Sequence, residues 1–163
     1  MWLLRSSPLD PSAMLWSKYW IGTVPLLVLA LVITIFTNWL LHASEFMMAV
    51  AVGTIVLYTL AASALALSFG ALYPQFGSEN AAQIPTSFGG LVYMMSSLSL
   101  LAAIIMIEAG PVIAYLGVVR YGGKLTGILP ELVAAGIMVL VICVTTTIVP
   151  LRLALRRIEM MEW

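Results

Sequence analysis

Catalysis needs ionisable or nucleophilic groups held close together, and this sequence keeps them apart. His42, the one histidine, sits in a short turn beside Ser44 and Glu45. A metal site takes three or four ligands, so His42 reads as an interfacial turn residue. Cys143, the one cysteine, lies in an apolar run and cannot form an internal disulfide. Glu108 and Glu131 are expected at helix ends rather than mid-membrane, where an acid would mark an ion or proton path. The stretch Tyr121-Gly122-Gly123-Lys124-Leu125-Thr126 invites comparison with a phosphate-binding loop. That loop needs Gly five residues before the Gly of its Gly-Lys pair, and Ser or Thr directly after the Lys. Val118 and Leu125 stand there instead. The expectation is a chain with no catalytic, cofactor-binding or metal-ligating residue. It would not be an enzyme, and ATP-driven work would fall to a separate subunit.

The remaining polar and soft residues admit structural explanations. Ten methionines, including the pairs Met47–Met48 and Met94–Met95, read as adaptable apolar filler. Thr145, Thr146 and Thr147 can bond to their own helix backbone. Ala62, Ala66 and Gly70 recur at intervals of four with Ser63 and Ala64 alongside. Small residues at that spacing let helix backbones approach closely in lipid, either within the chain or across a dimer. Ser87, Gly89, Gly90, Ser96, Ser97 and Ser99 make a second small-rich stretch, expected to face protein rather than lipid.

The elements that must position these residues follow from composition. Of 163 residues 63% are hydrophobic and 9% charged, with a mean hydropathy of +1.10. Soluble domains run near 45–50% apolar and about 25% charged. Seven basic and seven acidic residues leave no net charge, hence no basic field for nucleic acid. The class that remains is an integral membrane protein. A spanning helix needs about 20 apolar residues to cross about 30 Å of hydrocarbon. The charges leave uncharged intervals of 26 residues between Lys18 and Glu45, 33 between Glu45 and Glu79, 28 between Glu79 and Glu108, and 20 between Glu131 and Arg152. The predicted fold is all-α, a polytopic membrane protein with four transmembrane helices and a short cytoplasmic amphipathic N-terminal segment. One transmembrane domain covers 1–163, with an element at 1–19, spans at about 20–41, 46–72, 86–107 and 131–151, and a tail at 152–163. Segment 108–130 reads as a re-entrant hairpin or an interfacial helix, because Pro111–Val119 is too short to cross.

Flanking residues agree. Trp16, Tyr19, Trp20 and Trp39 suit the headgroup level. Pro74 and Pro150 are expected to close the second and fourth spans, and Pro25 lies in or near the first turn of the first. Arg5, Lys18, Arg152, Arg156 and Arg157 share one side, against Arg120 and Lys124 on the other. By the positive-inside rule both termini are cytoplasmic, in a multi-pass protein of the cytoplasmic (inner) membrane. Leu3–Leu4 is too short an apolar core for a secretory signal.

Two stretches resemble a known family. Leu4-Arg5-Ser6-Ser7-Pro8-Leu9, followed by Met14-Leu15-Trp16-Ser17-Lys18-Tyr19-Trp20, is similar to a cytoplasmic element of type-2 ATP-binding cassette (ABC) exporter permeases. There a small-Pro-hydrophobic turn and a short helix ending in Lys lead into a span. Gly70-Ala71-Leu72-Tyr73-Pro74-Gln75-Phe76-Gly77-Ser78-Glu79-Asn80, continuing to Gly90, is similar to a segment between two spans of bacterial ABC exporter permeases. Segment 108–130 resembles the family's last outward loop, with its short re-entrant helices. The resemblance implies the membrane-spanning permease portion of an ABC exporter, driven by an ABC ATPase subunit. Arg5, Ser7, Pro8 and Leu9 would lie nearest that ATPase, with the loop residues Glu79 and Asn80 on the same face. Family permeases have six or more spans, so four imply the C-terminal part of a longer permease or a homo-oligomer. The alternatives are a non-transporting membrane scaffold or assembly factor, a truncated permease remnant, or a small-molecule channel.

Overall fold

The protein is described by a computed structural model at residues 11–73, 87–121 and 127–161. It is all-α there, with four helices: α1 Pro11–Leu40, α2 Glu45–Leu72, α3 Phe88–Tyr121 and α4 Leu129–Met161. All four are long and apolar enough to cross a membrane. The first three are apolar around their whole circumference, so no stripe marks an inner face. Large side chains such as Ile21, Trp39, Met95 and Met106 are exposed, as suits a lipid-facing surface. Between helices in lipid, association comes from close packing rather than from an apolar-burial term.

The packing is built on α2. Ala61 and Leu65 of α2 meet Leu100 and Ile104 of α3 and Val139 and Cys143 of α4 in one buried cluster. A second joins Leu15 and Tyr19 of α1 to Ala64 of α2 and to Leu151 and Ala154 of α4. Tyr19 is 4% exposed, and its hydroxyl donates to the Leu60 carbonyl at 3.1 Å. It therefore faces α2, while Trp16 and Trp20 stay exposed.

The α1–α2 turn closes with both hydrogen bonds of a Schellman motif. The His42 N–H reaches the Trp39 carbonyl at 3.1 Å and the Ala43 N–H reaches Asn38 at 3.0 Å. His42 accordingly has a left-handed φ of 51°, which costs a side-chain-bearing residue about 1 kcal/mol. His42→Gly is expected to raise unfolding stability by about that amount, read as a higher midpoint in detergent. Ser44 then caps α2, its hydroxyl accepting from the Met47 N–H at 3.4 Å.

α2 and α3 run antiparallel in a legible register. Tyr73 lies against Phe88 and Gly89 at one end, with the two rings 5.3 Å apart. Phe46 lies against Tyr115 at the other, with ring centroids 4.6 Å apart. A methyl at Gly89 would come 2.9 Å from the Tyr73 Cβ, an atom fixed to the backbone. Gly89→Ala should therefore cost about 1–3 kcal/mol, and Tyr73→Gly in the same chain should restore most of it, measured by thermal unfolding.

Residues 108–121, where the sequence leaves a re-entrant hairpin and an interfacial helix open, continue α3 without a break. At 1.5 Å per residue the 34 residues of α3 reach about 51 Å, well beyond the hydrocarbon thickness. Helix α4 likewise passes through Pro150 instead of ending there. A proline removes one helical hydrogen bond, here at the Thr146 carbonyl, and Leu151 and Ala154 are packed firmly enough beyond it to keep the helix going.

Candidate functional site

Nearly every hydroxyl within these helices is turned back on its own backbone. Thr23, Thr59, Ser63, Ser68, Ser96, Ser99, Thr145, Thr146 and Thr147 each donate to the carbonyl four residues earlier. That is how a lone hydroxyl is satisfied in lipid, and it leaves nothing over for chemistry. Thr54 departs from the pattern. Its hydroxyl donates across the helix pair to Glu108 Oε1 at 2.5 Å.

The pair sits well along both helices, each residue half-buried. Thr54 is nine residues past Glu45, the start of α2, about 14 Å along the axis. Glu108 is twenty residues into α3 and thirteen from its end. This corrects the expectation that Glu108 lies at a helix end. A lone acid followed three residues later by Pro111 looks like a terminus in sequence, yet the helix is held on both sides of it. Beyond Glu108, Tyr115 is buried at 8% exposure, stacks on Phe46 and shares a hydrogen bond with the Ser44 hydroxyl at 3.3 Å. Thr54–Glu108 and Ser44–Tyr115 both tie α2 and its N-cap to the far half of α3.

Around Glu108 the helices leave a groove of about 300 Å³. Phe46, Val50 and Leu57 of α2, Pro111 of α3, and Leu132 and Val139 of α4 supply its apolar walls. Gly53 and Gly136 also line it, and at both the space a side chain would fill is open. The groove thus carries a carboxylate and one committed hydroxyl, in apolar surroundings. Acids buried in spanning segments are costly and mark functional sites by default. Composition could not reveal this pair, because the α2 partner is an ordinary Thr and the contact joins positions 54 residues apart.

The residues singled out from sequence fall elsewhere. Arg5, Ser7, Pro8, Leu9, Glu79 and Asn80 lie outside the described residues, as does Gly122–Thr126. Of the small-residue row, Ala62 is buried, whereas Ala66 and Gly70 are exposed, with open space at Gly70. Close packing inside the chain runs through Ala61, Ala64, Leu65 and Ser68. Among the described residues no group of three or more His, Cys, Asp or Glu is placed to hold a metal ion.

A family model described as "Putative ATP-binding cassette" matches residues 1–163, the whole chain. No curated protein and no solved structure matches it. The family overturns one expectation, that the chain is not an enzyme. An ATP-binding cassette is an ATP-hydrolysing domain type, and the match extends over every residue. The sequence argument tested one local loop pattern at Gly123–Lys124, and a family match weighs all positions together. The failed loop therefore does not set the chain outside ATP-hydrolysing machinery.

Proposed function

Because the chain belongs to this ATP-binding cassette family over its full length, we propose that its four helices form the membrane-spanning permease portion of an ABC exporter. The observation that carries the reading is the Thr54–Glu108 pair in its groove, a polar site between α2, α3 and α4, each long and apolar enough to span. A scaffold would have no use for a costly acid there. The permease works with an ABC ATPase subunit in the cytoplasmic membrane, both termini on the cytoplasmic side. Five Lys and Arg residues against two favour that orientation. Arg5, Ser7, Pro8 and Leu9 form the coupling element by resemblance, and Glu79 and Asn80 share its face. ATP-driven closure of the cassette tilts the bundle and exposes the groove alternately to the two sides. The exposed Ala66 and Gly70, on a helix otherwise packed through its opposite residues, suit contact with a second copy or with the rest of a longer permease.

Co-purification of the native complex in mild detergent tests this reading. An ABC ATPase is expected to co-elute with the wild-type chain and to be lost or weakened several-fold with Arg5→Ala plus Pro8→Ala. A chain that inserts normally and elutes without any ATPase would contradict it.

A further inference from the structure

We propose that the groove at Glu108 binds a lipophilic organic cation, a molecule with one ammonium-type charge on an apolar body. Its role as the exported substrate rests on the permease reading, whereas the binding itself does not.

Three features of the groove select that chemistry. The first is charge. Among the described residues, the lining includes the Glu108 carboxylate and no Lys, Arg or His. The second is the sense of the hydrogen bonds on offer. Thr54 spends its one proton on Glu108, so the lining side chains present acceptors, the remaining carboxylate lone pairs. An anion or a neutral acceptor would find no donor, and a purely apolar molecule would cover the carboxylate without pairing it, which costs free energy. A cation satisfies it and gains a charge-assisted contact. The third is shape. About 300 Å³ is the low end of small-molecule sites. The walls are otherwise aliphatic apart from the Phe46 ring, whose face attracts cations. Gly53 and Gly136 leave a side free of side chains through which such a molecule can slide in from the bilayer. The comparable cleft of about 310 Å³ between α1, α2 and α4, lined by Tyr19, Leu60 and Cys143 among others, has no acidic or basic residue among the described residues of its lining. It offers no such selection.

The test is equilibrium dialysis of decyltrimethylammonium against the purified full chain in dodecylmaltoside, which contains no charged group. Decanol and decyl sulfate serve as neutral and anionic counterparts. Saturable binding of one cation per chain is expected, with neither counterpart competing. Glu108→Gln should weaken it about tenfold or more, because the quaternary probe has no N–H and is held at the carboxylate by its charge alone. Thr54→Val keeps the carboxylate but loosens it, and should weaken binding by a smaller factor. Glu131→Gln, in the first turn of α4 and outside the lining, should leave it unchanged. Thermal unfolding of each variant shows that the bundle survives, and if Glu108→Gln fails to fold, the Thr54→Val comparison carries the test. Added phosphatidylethanolamine should not displace the probe, because its phosphate would enter a groove without donors. Decanol binding as tightly as the cation, equal binding by folded Glu108→Gln and wild type, or displacement by phosphatidylethanolamine would each overturn the assignment. The assay contains neither a partner subunit nor ATP, so its failure is distinct from failure of the co-purification.

Discussion

Ala64→Phe is expected to cost the bundle about 3 kcal/mol, the upper range for overpacking a closed core, and to be the most damaging apolar exchange in the chain. Ala64 is 0% exposed, as is Ala154 of α4, and Leu15, Tyr19 and Leu151 close the same junction. Three helices meet at a position where a methyl group fills the space. A phenyl ring must push α1 or α4 away, which also strains the Tyr19 hydroxyl bond to Leu60. In lipid this loss is not offset by any apolar-burial term, since a displaced apolar face meets acyl chains instead of water. Ala102→Phe adds the same volume on α3 where the side chain is exposed, and should change the unfolding midpoint little. The two variants, compared by thermal unfolding and monodispersity in one detergent, separate a packing effect from a general intolerance of large residues.

Glu108→Leu is expected to move stability and function in opposite directions. The acid is kept in a groove whose walls are apolar, and carrying a charge inside a spanning segment costs on the order of 2–3 kcal/mol. Part of that cost is recovered through Thr54. In the variant the Thr54 hydroxyl can turn to the Val50 carbonyl four residues earlier, as Thr59 does to Ile55 and Ser63 to Thr59. No buried donor is then stranded, so unfolding stability should rise by about 1–2 kcal/mol. Export of a lipophilic cation from cells carrying the complete system should meanwhile fall at least tenfold. A site kept against the interest of stability is the usual mark of a functional one. A variant less stable than wild type would instead make the Thr54–Glu108 pair a structural tie between α2 and α3.

The all-α membrane architecture was legible from the spacing of charges alone. Every uncharged interval long enough to span contains most of one helix. The far half of α3 was not. Glu108 followed by Pro111 reads as a helix terminus, and only the tertiary contacts with Thr54, Phe46 and Ser44 reveal that the helix continues. Pro150 misleads in the same way, because packing at Leu151 and Ala154 lies beyond local sequence. The rotational phase of α2 was also hidden. Its apolar circumference leaves no stripe to read, so the repeat Ala62–Ala66–Gly70 and the buried set Ala61, Ala64, Leu65 and Ser68 look equally suited to packing. The candidate site escaped for a simpler reason: it rests on Thr54, which bonds to another helix, whereas Thr59 bonds to its own, and sequence does not distinguish the two.

The most direct test of the permease account is ATP-dependent movement of decyltrimethylammonium in liposomes carrying the complete native complex. The account predicts uptake that requires ATP, saturates with the cation, and falls at least tenfold with Glu108→Gln. Movement at the same rate without ATP would make the chain a channel. ATP hydrolysis by an assembled complex, with no movement of the cation and no response to it, would contradict the account.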